Sequence, residues 1–218
     1  MPPPQLLDEL VRTSAAPDTV RLVADQLFAA FPHARDRLES EPALASRFVA
    51  VAAASHSLSR VIVTDPAALD VLAELDTPAA RTTCEGGFLR WDPAQAEDVE
   101  DLVRRKHLSL LEVATRDLNG LSDLEQVTGS LSVVGDRVLA GAIRLAGADN
   151  SLAVIAMGKH GAGELNYSSD IDILLVAAEG AEVDPALARC ALTLVAPTTS
   201  RTSCAASSFA SWRSPPRT

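Results

Sequence analysis

The feature that most constrains this chain is a change of period. From Gln5 to about Leu75, and again from Glu97 to Leu145, apolar residues return every three or four positions, and past Gly147 that rhythm gives way to two short apolar runs on either side of a glycine-rich segment. A chain that is helical for its first two thirds and then turns to strands predicts an α+β fold with helices and strands segregated.

In the helical part, Val20, Val23 and Leu27, and later Phe48, Val51 and Ala52, mark buried stripes, with breaks at Pro17, Pro32, Pro42 and Pro66. Several short helices are expected up to about Leu75, with Glu41-Pro42 and Thr64-Asp65-Pro66 as helix starts. Thr77 to Pro93 holds Pro78, Gly86, Gly87 and Pro93 without a clean period and reads as a connection. Val99, Leu102, Val103, Leu110, Leu111 and Val113, then Leu124, Val127, Leu131, Val134, Val138 and Leu139, predict two long helices. These span Glu97–Leu118 and Leu121–Leu145, joined near Asn119-Gly120. The expected organisation is a helical region over 1–95, a helical pair over 96–147, a partial α/β core over 148–195 and a disordered tail over 196–218.

Composition narrows the function. Of the 218 residues 47% are hydrophobic and only 4% aromatic, so the core must be built from Ala, Leu and Val. With 19 Lys and Arg against 29 Asp and Glu, a net charge of −10 argues against a nucleic-acid partner. No apolar run reaches the roughly 18–20 residues that cross a bilayer, and Met1-Pro2-Pro3-Pro4 lacks the basic and apolar regions of a signal peptide. The expected location is the cytoplasm, with no membrane partner. Cys84, Cys190 and Cys204 are odd in number and far apart, which predicts reduced thiols rather than a disulfide framework or zinc site. His33, His56, His107 and His160 form no pair at helical metal-ligand spacing. Any metal must therefore sit on carboxylates.

The chemistry concentrates after the turn Gly147-Ala148-Asp149-Asn150. Leu152 to Met157 reads as a buried strand, Gly158 to Ser169 as a polar loop, and Asp170-Ile171-Asp172-Ile173-Leu174-Leu175-Val176 as a second strand. Strand alternation puts Asp170 and Asp172 on one face, about 6–7 Å apart, with Ile171 and Ile173 toward the core. Such a pair suits Mg²⁺, which takes one or two carboxylates together with substrate phosphates. The Gly158-Lys159-His160-Gly161-Ala162-Gly163 loop lets backbone N–H groups approach an anion, with an expected helical turn through Glu164 and Leu165 adding its dipole. Lys159 is one of only two lysines in the chain and brings a compact charge toward a phosphate. A P-loop would need Gly at Ala153 and Ser or Thr at His160, and a dinucleotide fingerprint would need Gly at Asn166. Neither motif is present.

The segment from Met157 through Asn166-Tyr167-Ser168-Ser169-Asp170-Ile171-Asp172 resembles the signature of the glutamine synthetase adenylyltransferase and adenylyl-removing enzymes, nucleotidyltransferases of the polymerase-β type. The wording is similar to their N-terminal, adenylyl-removing half, and Arg104-Arg105-Lys106-His107 and Ala114-Thr115-Arg116-Asp117-Leu118 resemble the helical segment before it. The resemblance implies an incomplete nucleotidyltransferase core and a Mg²⁺-dependent phosphorolysis. Inorganic phosphate attacks an adenylylated tyrosine of glutamine synthetase, giving ADP, with ATP and ADP as the family's nucleotides. It implies Asp170 and Asp172 as catalytic metal ligands, Gly158, Lys159 and Gly161 toward the phosphates, and Ser169 in hydrogen-bond reach of one of them. It also implies glutamine synthetase as partner, and a PII-type nitrogen-signalling protein as a further one.

His160 stands where the family more often has an apolar residue, and Ala162 where it usually has Gly. The family's third carboxylate comes from a later strand resembling Arg-Val-Asp-Leu-Arg-Leu-Arg-Pro, which this chain lacks; Glu179, Glu182 and Asp184 fall in an expected loop and helix start. No acidic residue follows Asp184, and the Ser, Thr, Pro and Arg content after about Val195 points to a chain truncated by departure from its ancestral reading frame. The alternative function is a catalytically inactive fragment or a binding module docking on glutamine synthetase or a nitrogen-signalling protein. A third reading, a nucleotidyltransferase acting on a signalling protein or a small alcohol, rests on the same two carboxylates.

Overall fold

A computed structural model describes residues 6–75, 89–147 and 152–177. The connection over 76–88, the turn residues 148–150, all three cysteines and everything past Ala177 lie outside the described residues. Six short helices open the chain: α1 (Leu6–Thr13), α2 (Pro17–Ala30), α3 (Ala34–Ser40), α4 (Pro42–Ala54), α5 (His56–Thr64) and α6 (Ala68–Ala73). A 3₁₀ turn (Pro93–Gln95) precedes the long helices α7 (Val99–Leu118) and α8 (Leu124–Leu145). Two described strands, β1 (Leu152–Ala156) and β2 (Ile173–Ala177), follow, so the described residues are mostly helical with a small antiparallel sheet, consistent with α+β.

Helix starts follow local chemistry more closely than apolar rhythm. Pro17 and Pro42 occupy first positions, where their missing N–H costs nothing, and Ser55 caps α5 by accepting from the Leu58 N–H. The two long helices begin later than the apolar pattern suggests because capping side chains set their first turns. At α7 the Asp98 carboxylate accepts from the Asp101 N–H at 2.8 Å. At α8 the Asp123 carboxylate accepts from the Gln126 N–H at 2.8 Å while the Gln126 amide oxygen accepts from the Asp123 N–H at 3.0 Å, a reciprocal capping box. Gly120, at φ +65°, makes the turn between them.

The chain divides into two compact units, one drawn from Met1–Arg90 and His107–Val127, the other from Trp91–Lys106 and Thr128–Thr218. In the first, α4 packs against α1, α2, α3, α5 and α6. A central helix must be apolar nearly all round, and α4 buries Leu44, Ala45, Phe48, Val49, Val51 and Ala52. Its one buried charge, Arg47, donates from Nη1 to the carbonyls of Leu72 and Ala73, satisfying the end of α6.

In the second unit α8 is used on two opposite faces. Arg137, Gly141 and Arg144 hold the segment 92–96. Arg137 forks onto the Asp92 carboxylate, its Nε at 2.9 Å from Oδ1 and its Nη2 on Oδ2, and Arg144 donates to the carbonyls of Ala94 and Ala96. Ala96, Leu102 and Ala142 make a small core there. The other face carries Ser132, Gly135 and Asp136 and receives the loop that follows β1.

Candidate functional site

The strands pair antiparallel, with Leu152 opposite Ala177 and Ala156 opposite Ile173. One further bond, from the Met157 N–H to the Asp172 carbonyl at 2.8 Å, carries the ladder a step beyond the sheet, so Asp172 stands opposite Met157. The expected strand over 170–176 is thus corrected: β2 begins at Ile173, and Asp170 and Asp172 lie on the extended approach to it, both exposed. The physical reason is that β1 ends at Ala156, where Gly158 turns the chain at φ +56° and leaves residues before Ile173 without a full pairing partner. The strands also differ from the buried pair expected. Ala153 and Ile155 are exposed, Val154 and Ala156 half-buried, and Ile173 to Val176 half-buried, because the described sheet has two strands only.

The expected helical turn through Glu164 and Leu165 is a second correction, since it forms earlier, over Gly158–Gly161. The Gly161 N–H donates to the Met157 carbonyl at 3.0 Å and the Ala162 N–H to that of Gly158 at 3.1 Å, while Gly163, at φ +74°, ends the turn before Glu164. Two glycines are demanded by close approach. A Cβ on Gly158 would stand 3.1 Å from the Asp172 Oδ2, and one on Gly161 would stand 2.5 Å from the Ala156 carbonyl oxygen. Gly158 is thus the point where the loop meets the Asp172 carboxylate.

Lys159 is exposed at this turn. Ser169 belongs to a tight turn in which its Oγ accepts from the Asn166 N–H at 3.0 Å and the Asn166 side chain accepts from the Ser168 N–H at 3.0 Å. The turn delivers the chain to Asp170. The structure therefore brings Gly158 and Asp172 together directly and sets Lys159, Gly161, Ser169 and Asp170 on the segments that flank them.

A pair of residues outside the sequence expectation fastens this loop. His160 is 4% exposed, and its Nε2 lies 2.9 Å from the Asp136 Oδ1 on α8. Leu165 is also buried, and its N–H donates to the Ser132 Oγ at 3.2 Å. The one signal available in the sequence was a histidine at a position where the resemblance leads one to expect an apolar side chain.

For a divalent cation the residues offer carboxylate oxygens at Asp170 and Asp172, the donor type that Mg²⁺ takes. Among the described residues no group of three or more His, Cys, Asp or Glu gathers as a metal site. No described helix is long and apolar enough to cross a membrane.

The family model for glutamate-ammonia ligase adenylyltransferase matches residues 45–191, about two thirds of the chain. Proteins named bifunctional glutamine synthetase adenylyltransferase/adenylyl-removing enzyme are similar to it. The one from Xanthobacter autotrophicus is 39% identical over 137 residues, 55% of this chain and 13% of that protein. The one from Nitrosomonas eutropha is 31% identical over 138 residues, 53% and 15% respectively, and the one from Cutibacterium acnes 40% identical over 91 residues, 38% and 9%. The matched stretch thus spans roughly an eighth of these relatives' length. No solved structure matches the chain.

Proposed function

The chain belongs to the glutamate-ammonia ligase adenylyltransferase family, and on that premise we propose that it is an adenylyl-removing fragment acting on glutamine synthetase. In this reading residues 1–95 and 96–147 are the helical lead and 148–195 are part of a polymerase-β-type nucleotidyltransferase core. The observation that carries it is the contact at the Gly158 turn, where the absence of a side chain admits the Asp172 carboxylate to the start of the loop.

The reaction is phosphorolysis. An oxygen of inorganic phosphate attacks the phosphorus of the adenylyl-tyrosine, the bond from phosphorus to the tyrosyl oxygen breaks, that oxygen takes up a proton, and ADP leaves. Asp170 and Asp172 would hold Mg²⁺, which when bound supplies neutralisation of charge on the phosphate oxygens. Lys159 contributes a positive charge on the same loop, and the backbone at Gly158 lines the approach, whereas the Gly161 N–H is taken by the Met157 carbonyl and its role is to let the turn close. Ser169 braces the turn that presents Asp170. A PII-type signalling protein is the regulatory partner in this reading.

Incubation of the chain with adenylylated glutamine synthetase, phosphate and Mg²⁺ is expected to release ADP, and Asp170→Asn to lower the rate at least about a hundredfold, as losing a charge-stabilising group does. ADP release no faster than that of the variant removes the reading.

A second reading is favoured by one observation, that among the described residues no group of three or more His, Cys, Asp or Glu gathers to hold a metal ion. On it the chain is a catalytically inactive fragment or a binding module. Capture of glutamine synthetase by the immobilised chain, without turnover, is the result that selects it.

A further inference from the structure

The loop after β1 is pinned to α8 at two points, and one of them is made by a residue that packing alone does not require. Ser132, Gly135 and Asp136 occupy positions i, i+3 and i+4 of the helix and share a face. Leu165 meets this strip through its N–H on the Ser132 Oγ, and His160 through its Nε2 on the Asp136 Oδ1. Gly135 lies beneath the imidazole, where a Cβ would stand 3.0 Å from Nε2 and 3.2 Å from Cε1. Between the pins Gly161, Ala162, Gly163 and Glu164 are all exposed.

The imidazole is placed to hold, not to react. Its Nδ1 is buried without a hydrogen-bond partner among the described residues, and Nε2 is taken by Asp136. With Nε2 on a carboxylate and Nδ1 buried, the ring turns neither nitrogen toward solvent. General acid or base work needs a nitrogen within reach of the reacting atoms, and this ring offers none. What it does reach is the backbone of a four-residue turn whose first residue, Gly158, lies against the Asp172 carboxylate.

We propose that His160 is a positioning residue, tied to Asp136 so that the Gly158–Gly163 turn is held at the height where Gly158 meets Asp172 and Lys159 faces outward for a diphosphate. The functional half of this statement rests on the deadenylylation reading; the mechanical half does not.

Asp136 makes the test clean, because its side chain is 65% exposed and its removal leaves no cavity. Asp136→Ala also places a better helix former in mid-helix, so any general effect on α8 runs toward stability, opposite to the effect of a lost tie. Asp136→Asn keeps a hydrogen-bond acceptor for Nε2 and serves as the conservative rescue. On the full chain, amide hydrogen exchange of residues 159–164 and the affinity for ADP with Mg²⁺ are measured for wild type and both variants. Asp136→Ala is expected to speed exchange in the loop about three- to tenfold, the worth of one hydrogen bond of this kind. It is also expected to weaken ADP by a similar factor with the melting temperature unchanged or raised, and Asp136→Asn is expected to restore both. Unchanged loop exchange in Asp136→Ala overturns the tie, and faster exchange with unchanged ADP affinity overturns its role in positioning. A wild-type chain that binds no ADP removes the deadenylylation reading and with it the functional half, while the exchange data still decide whether His160 holds the turn.

Discussion

Gly158 and Gly161 are three residues apart and forbid a side chain for different reasons. At Gly161 the obstacle is backbone: a Cβ 2.5 Å from the Ala156 carbonyl oxygen can be relieved only by moving the strand end or the turn. At Gly158 the obstacle is partly conformational, since φ is +56°, and partly the movable Asp172 carboxylate at 3.1 Å. Gly161→Ala is therefore expected to lower stability by about 2–3 kcal/mol, in the upper range for overpacking, and Gly158→Ala by about 1–2 kcal/mol, the left-handed penalty for an L-residue. Urea unfolding midpoints of the two variants order them, and equal midpoints remove the distinction. Sequence spacing marked both glycines, together with Lys159, Asp170 and Asp172, as one constellation, and the family resemblance added Ser169. It could not say what each glycine approaches, because the Ala156 carbonyl and the Asp172 carboxylate come from two different strands. The His160–Asp136 pair was further out of reach, since its partners are 24 residues apart and Asp136 belongs to no motif.

Helix α8 makes the same point at the scale of an element. Its existence and length were legible in the return of Leu131, Val134 and Val138, whereas its start was set by the capping box at Asp123 and Gln126, which apolar rhythm does not register. Its glycines look alike in sequence and behave oppositely in the fold. A Cβ on Gly141 would stand 2.4 Å from the Pro93 carbonyl oxygen, while one on Gly129 meets nothing within 4 Å. Gly129→Ala is expected to stabilise the chain by about 0.4–1 kcal/mol through helix propensity, and Gly141→Ala to destabilise it by about 1–3 kcal/mol despite the same gain. Thermal melts read both signs directly. The Asp92–Arg137 fork adds a pH dependence. Burial pushes the Asp92 carboxyl up, but the Arg137 hydrogen bond, the Ala94 N–H and the charges of Arg137 and Arg105 outweigh it and hold the group below its ordinary value. A carboxyl depressed in the folded state contributes stability that is fully present above its unfolded pKa and is lost as pH falls through the folded one. Asp92→Asn is expected to cost about 1 kcal/mol at pH 7, a charge-assisted bond discounted for partial exposure. Its cost should shrink once the pH drops below about 3.9, the ordinary carboxylate value. A cost that does not change with pH shows the pair to act through shape alone.

For the whole molecule the balance lies between charge and uncovered sheet. Two apolar runs led to an expectation of buried strands, because runs without alternation normally have cover on both faces, yet among the described residues the sheet stops at two strands and Ile155 is 48% exposed. That cover could not be inferred from the runs themselves, since it depends on which other segments pack against them. A two-stranded sheet is marginal by itself, and an exposed apolar strand invites pairing with another copy. The net charge of −10 opposes such association at low salt. Salt removes that opposition, because the screening length falls from about 10 Å at 0.1 M to about 3 Å at 1 M. Light scattering of the chain is therefore expected to rise with added salt. Ile155→Lys, which puts a charge in the middle of β1, is expected to suppress the rise while shifting the melting temperature by no more than about 2 °C, as surface changes do in a chain of this size. If the wild type stays monomeric at 1 M salt, the exposed strand is not sticky and the charge is not what keeps the molecules apart. If Ile155→Lys associates as readily as the wild type, the contact lies elsewhere, and Leu124 at 79% exposure is the next residue to change.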